Sequence, residues 1–223
     1  MKILIVSDAW LPQVNGVVRT YEYLKKELED NGHIVRVIGP ADFKNRIPMP
    51  GYKEIELVVW PFQSLADRVE EFDPDTIHIA TEGTLGWAAR SYCLRTKRKF
   101  TTSYHTQFPD YAARRASKYL PFLYKPVFKL GVSIIKKFHS KSSALFVTTK
   151  SMTEELQSWG VKAPIHPLTR GIDTDLFSVG EKNLFNDLKR SSNIKPKIDI
   201  SIEKIFVCFV NATLDHRSRV ADV

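Results

Sequence analysis

Apolar runs of strand length recur along the chain at residues 3–6, 34–38, 55–59, 76–79, 100–103, 144–148 and 165–168. Between most of them lie segments with apolar residues at helical spacing: 17–31, which stops at Asn31-Gly32, then 63–72 and 84–97. A glycine just past the last periodic residue is a helix stop, because it accepts the left-handed backbone on which many helices end. Short strands alternating with helices predict an α/β fold, a doubly wound, mostly parallel Rossmann-like sheet covered on both faces. That domain is expected to span 1–168. After Leu168 the order weakens, since 169–180 has no clear period and 183–197 is polar with a short helical stretch. A connector is expected over 169–203. The run 205–210 reads as one more buried strand, and 204–223 as the remnant of the first strand of a second domain, because a lone strand makes no domain.

Composition narrows this without changing it. With 223 residues, 43% of them hydrophobic, the chain can bury one substantial core but would be cramped as two domains. The first apolar run is too short for a secretory signal, and no run reaches the ~20 residues needed to cross a bilayer, so a cytoplasmic location is expected. Cys93 and Cys208 have neither metal-ligand spacing nor a disulfide framework and read as buried, reduced thiols.

The net charge of +8 changes the picture more, because it is local. Residues 90–141 hold 13 Lys/Arg against the single Asp110, leaving 20 basic and 24 acidic residues elsewhere. The helical parts of this region mix Arg114, Arg115, Lys118, Lys125, Lys129, Lys136 and Lys137 with Tyr111, Tyr119, Phe122, Tyr124, Phe128 and Phe138. Cations interleaved with aromatics suit an anionic surface, and a lipid bilayer and a nucleic acid both fit that description. No nucleic-acid motif accompanies the charge, so a membrane is the expected partner and nucleic acid is not.

Four segments carry candidate chemistry, each just after a predicted strand, where doubly wound folds bind ligands. The first, Asp8 to Thr20, holds Asn15-Gly16 at a helix start, where backbone N–H groups can face a diphosphate; a plain Asn-Gly turn reads equally from these residues. The second, A-T-E-G-T-L-G-W-A-A, puts Glu82 at the sheet edge, to accept sugar hydroxyls or to cap its own helix. The third, T-S-Y-H-T-Q-F-P-D-Y, carries Tyr104 and His105, a histidine that can bond a hydroxyl or stand beside a phosphate, or simply pack. The fourth, T-R-G-I-D-T-D-L-F, carries Arg170, suited to a phosphate, with Asp173 and Asp175 in a loop they can hold structurally.

Together, in this order and spacing, the four segments resemble the family 4 retaining glycosyltransferases of the GT-B fold, closest to bacterial GDP-mannose-dependent mannosyltransferase-like members acting on lipid acceptors. The resemblance covers residue 1 to about residue 180. It implies transfer of a sugar from a nucleotide-diphosphate donor to a lipid or glycan hydroxyl with retention of configuration, no cofactor beyond that co-substrate, and no obligatory metal. It implies that Gly16, with Asn15, lets the loop approach the donor diphosphate, that His105 lies by the donor sugar near the reacting centre, and that Arg170 leads into the second half. Glu82 and Tyr104 are implied for the acceptor or sugar, and the basic aromatic surface for the inner face of the plasma membrane. The family's later motifs, G-R-x-x-x-E-K and a pair of glutamates eight residues apart, do not occur in this chain. Three expectations remain open: a donor half supplied by another polypeptide, a module that binds acceptor or membrane without turnover, or the remnant of a decayed gene.

Overall fold

The computed structural model describes residues 1–49 and 52–168. The expected connector and last strand, and with them Arg170, Asp173, Asp175 and Cys208, lie outside the described residues.

Six parallel strands form the main sheet: β1 (Lys2–Val6), β2 (Ile34–Ile38), β5 (Thr76–Ile79), β6 (Thr101–Tyr104), β7 (Leu145–Val147) and β8 (Ile165–Pro167). Their order is β2-β1-β5-β6-β7-β8. The chain therefore leaves β1 toward one edge and returns to its other side at β5, which makes the gap between β1 and β5 the switch point where such sheets bind ligands. Strand alternation sorts the core into two layers. Ile3 and Ile5 pack with Tyr21, Leu24 and Leu28 of α1 (Gly16–Asp30) on one face. Leu4, Val6, Ile77 and Ile79 pack on the other, under α2 (Phe62–Phe72) and α3 (Thr84–Thr96). Cys93 lies in that layer as a buried thiol.

The run expected at 55–59 is not a strand of this sheet. It belongs to β4 (Tyr52–Val58), which pairs antiparallel with β3 (Arg46–Met49) in a separate two-stranded ribbon. The few residues between β3 and β4 cannot hold the crossover a parallel pair requires, so the chain can only fold back on itself. The basic region forms an αα-hairpin, α4 (Phe108–Ser117) and α5 (Tyr124–His139), and α6 (Lys150–Ser158) precedes β8.

Arg90 of α3 fastens the end of α5. Its Nε donates to the Phe138 carbonyl at 2.8 Å and its Nη2 to the Lys137 carbonyl at 2.7 Å, with the guanidinium over the Trp87 ring. These are last-turn carbonyls, which have no partner within their own helix. Arg90→Ala is therefore expected to lower stability by about 3 kcal/mol, the range for hydrogen bonds to a charged group. Urea unfolding checks this, with exposed Arg95→Ala as a control that moves the midpoint by less than about 0.5 kcal/mol.

Candidate functional site

The loops after β1 and β5 are joined by Asp8. Its carboxylate accepts from the Leu85 N–H at 2.8 Å, the Gly86 N–H at 3.2 Å, the Thr81 hydroxyl at 2.9 Å and the Thr84 hydroxyl at 3.4 Å. The Asp8 N–H in turn donates to Thr81 Oγ1 at 2.7 Å. Burial holds the Asp8 carboxyl above its ordinary range, against the smaller opposing pull of the four donors. All four donate hydrogen bonds to it at a helix N-terminus, the position where a carboxylate is favoured. The glycines of G-T-L-G follow from this. A Cβ on Gly83 would occupy the Asp8 carboxylate, and one on Gly86 would run into the Thr81 carbonyl. The capping role that the sequence left open for Glu82 thus belongs to a residue 74 positions earlier, counting 82 minus 8.

Asn15 is the N-cap of α1, and its Oδ1 accepts from the N–H groups of Val17 and Val18, each at 3.0 Å. Two donors of this helix start are therefore taken by the chain itself, and Gly16 stands in the first helical position. One turn on, Tyr21 reaches under the sheet edge with 0% exposure. Its hydroxyl lies 2.8 Å from His78 Nε2, 2.9 Å from Ser103 Oγ and 3.1 Å from His105 Nε2. The His105 ring stands edge-on to the Tyr21 ring, at 88° with centroids 5.6 Å apart. His78 Nδ1 is 2.8 Å from Thr101 Oγ1. Burial first, and then the charge of His105, push His78 down to about 3, so it stays uncharged. Tyr21 and His78 are the residues sequence reasoning passed over. Tyr21 falls in an apolar helical stripe and reads as core, whereas His78 did carry a signal, as the polar residue inside the buried strand T-I-H-I.

Glu82 and Tyr104 belong to the other face. His139, at the end of α5, has 0% exposure, with Nδ1 2.9 Å from Thr102 Oγ1 and Nε2 3.3 Å from Glu82 Oε1. Thr102 and Ser103 are successive strand residues, so their side chains, and the partners they touch, lie on opposite faces. Tyr104 is fully buried, its ring edge-on to His139 and to Trp159. Burial, and then the Glu82 and Glu155 charges, raise its phenol. The expected set is thus divided, with Asn15, Gly16 and His105 gathered around α1 and Glu82 and Tyr104 gathered around α5.

The seven basic residues expected to face a membrane, Arg114, Arg115, Lys118, Lys125, Lys129, Lys136 and Lys137, are all exposed on the hairpin. Its aromatics separate into two groups. Tyr111, Tyr119 and Phe122 are exposed, the last two at 80% and 71% near the turn, while Tyr124 stacks on Phe128 and Phe138 is core. Arg114 and the Tyr124 hydroxyl both bond Asp110, and these bonds hold its carboxyl below the usual range. No helix among the described residues is long and apolar enough to cross a membrane. No cluster of metal-ligating side chains occurs among the described residues.

Comparison with known proteins gives this site a context. The family model described as Glycosyltransferase Family 4 matches residues 14–176. A GDP-mannose-dependent alpha-mannosyltransferase of Corynebacterium glutamicum is 26% identical over 226 residues, covering 94% of this chain and 51% of that protein. An alpha-monoglucosyldiacylglycerol synthase of Streptococcus pneumoniae is 31% identical over 127 residues, covering 50% of this chain and 28% of that protein. The chain thus spans about half the length, or less, of the curated relatives it matches. Among solved structures, the sucrose-phosphate synthase of Thermosynechococcus elongatus superposes with a TM-score of 0.52 at 14% identity, over 79% of this chain and 49% of that one, a likeness of fold.

The His78 environment has a pH consequence. Its folded value lies far below the ordinary 6.5, so the unfolded chain binds the proton more readily and stability falls as pH drops from about 6.5 toward 3. The expected loss attributable to His78 is up to about 1.4 kcal/mol per pH unit in that window. Urea midpoints at pH 7, 6 and 5 check it, and in His78→Gln this component of the slope disappears.

Proposed function

The chain belongs to glycosyltransferase family 4, and from that premise we propose that it is the acceptor-side half of a retaining hexosyltransferase, moving a mannosyl group from a nucleotide-diphosphate donor to a lipid or glycan hydroxyl. One observation carries the reading most directly. The helix that opens at Asn15-Gly16 is bridged to His105 by the Tyr21 hydroxyl, so the proposed diphosphate contact and the proposed sugar contact are held by one rigid connection at the switch point. The mannosyl assignment is supported by the Corynebacterium relative's GDP-mannose dependence.

As the glycosidic bond breaks, negative charge collects on the leaving diphosphate, and preorganised positive groups must already face it. This half brings the α1 N-terminus, with Gly16 allowing close approach, and we assign Arg170 a phosphate contact. His105 lies beside the sugar, and Glu82, whose side chain keeps 23% exposure, takes an acceptor hydroxyl, with Tyr104 buried against His139, the partner of Glu82. The cations of the family's G-R-x-x-x-E-K motif do not occur in these 223 residues, and in the proposed reaction a donor-binding half supplies them. Loss of one such group typically costs about a hundredfold or more.

Two measurements follow. Assayed alone with GDP-mannose and a lipid acceptor, the purified chain is expected to show turnover indistinguishable from background. GDP-mannose at millimolar concentration still shifts the NMR signals of the Gly16 amide and the His105 ring, an effect that Gly16→Asp abolishes. Turnover lost in His105→Ala, or micromolar donor affinity, would show that this half needs no partner, and silence of both signals would remove the donor site.

A membrane role draws on a separate observation, the exposed Tyr119 and Phe122 at the hairpin turn beside the cationic face of α5. We propose peripheral binding to the inner leaflet, with these rings entering shallowly and Lys125, Lys129, Lys136 and Lys137 facing anionic headgroups. Each cation near such a surface contributes about 1 kcal/mol, roughly fivefold in partitioning. Lys136→Glu with Lys137→Glu is expected to weaken binding to phosphatidylserine vesicles by at least that factor per residue, and unchanged binding would reject the surface. Equal retention by oligonucleotides across a salt series would favour a nucleic-acid partner instead.

A further inference from the structure

Trp60 stands where folding alone does not favour it. Its side chain is 83% exposed, and its backbone is left-handed, with φ 52°, directly before Pro61. A bulky residue in that conformation is strained by its own Cβ, and a following proline narrows the allowed region further, towards extended backbone. Asp73 and Lys97, the other non-glycine residues with positive φ among those described, end helices, where the left-handed turn satisfies orphan carbonyls. Trp60 lies between β4 and α2 and ends no helix. We infer that Trp60 is a binding residue, a platform on which the carbohydrate ring of the acceptor stacks at the rim of the Glu82 site. The acceptor part rests on the reading of Glu82 in the proposed function; the ring-binding surface does not.

Strain retained beneath an exposed aromatic points to a use for the aromatic. The turn that carries it is tied on both flanks. The Val58 N–H donates to Thr84 Oγ1 at 3.1 Å and the Val59 N–H to the Asn45 carbonyl at 2.9 Å, while the Pro61 carbonyl accepts from the Leu65 N–H at 2.8 Å as α2 opens. The base of the indole is therefore fixed while most of its surface stays open to water. The Thr84 hydroxyl also reaches the Asp8 carboxylate at 3.4 Å, which fastens this turn to the loops at the switch point. Glu82 is two residues before Thr84, and Trp60 two residues after Val58. Two residues span at most about 7 Å, so both lie close to Thr84 at one end of the sheet.

The surroundings select the occupant. Residues 42–72 hold six acidic and four basic residues, and α2 exposes Asp67, Glu70 and Glu71. This rim lacks the cation surplus of the hairpin and gives an anionic bilayer no attraction. A saturated sugar ring offers a face of weakly positive C–H groups, which lies flat on the negative face of an indole, while its hydroxyls point outward to carboxylates and water. An uncharged ring edged with hydroxyls is thus the ligand that an exposed indole near Glu82 accommodates.

The test uses the 223-residue chain with methyl α-mannopyranoside as the probe, read by saturation-transfer NMR on the sugar protons and by the indole N–H signals of Trp10, Trp60, Trp87 and Trp159. The Trp60 signal, identified by its loss in Trp60→Leu, is expected to shift saturably while those of Trp87 and Trp159 stay in place. Trp60→Leu is expected to weaken sugar binding about fivefold, the worth of one aromatic contact, and Trp60→Tyr to restore most of it. Trp60→Asn is expected to hold or raise the urea midpoint, because asparagine accepts the left-handed backbone and little packing is lost. An unmoved Trp60 signal, sugar binding unchanged in Trp60→Leu, or a urea midpoint lowered in Trp60→Asn would overturn the inference. So would burial of the Trp60 indole in phosphatidylserine vesicles without any response to the sugar, since the occupant would then be a bilayer. Glu82→Gln separates the two readings: a Trp60 response of wild-type strength keeps the ring platform and counts against the acceptor role of Glu82, whereas a weakened response supports both.

Discussion

Two N–H groups at the start of α3 are buried, and the carboxylate that satisfies them comes from a different strand. Asp8 is carried in by β1, and the donors by the loop after β5, so the hydrogen bonds fix how the two loops flanking the switch point lie against each other. The alternative is a pair of unsatisfied backbone groups away from water, each costing about 1–3 kcal/mol. That constraint propagates outward. The carboxylate sits where a side chain on residue 83 would begin, which explains glycine there, and Glu82 is released from capping to turn toward α5. The backbone leading to Asn15 and Gly16 starts from the same anchored residue.

The second organising fact is the two-residue period of β6. Thr101 and Ser103 serve the α1 side through His78 and Tyr21, while Thr102 and Tyr104 serve the α5 side through His139. One strand therefore feeds two polar clusters separated by the sheet, each containing a buried histidine bonded to a strand threonine. On the α1 side the cluster reaches His105. On the α5 side it reaches Glu82. The two candidate residues expected together at one edge, His105 and Glu82, are thus held by different clusters on opposite faces.

The hairpin shows a similar economy in its aromatics. Phe138 and the Tyr124–Phe128 stack hold α5 against its neighbours, and Arg90 closes its last turn. This leaves one face of α5 free to carry lysines, with Tyr119 and Phe122 at the turn.

Much of this was legible in the sequence. The alternation of short apolar runs and helical stripes determined a doubly wound parallel sheet, because burial on both faces of a sheet and on one face of a helix imposes different periods. The placement of polar segments just after strands marked out candidate site residues, and their order and spacing pointed to the family. What the sequence could not decide was which polar residues meet. Asp8 and Leu85, Tyr21 and His105, and Glu82 and His139 are between 57 and 84 positions apart, counting 139 minus 82, 85 minus 8 and 105 minus 21. Tyr21 carries a core residue's spacing, and only the packing of α1 across β5 and β6 brings its hydroxyl to a histidine. The sheet likewise decided that Glu82 and His105 lie on opposite sides, a matter of strand register to which local sequence is blind. Local periodicity reports which face of an element is buried; the partner across that face is a property of the whole fold.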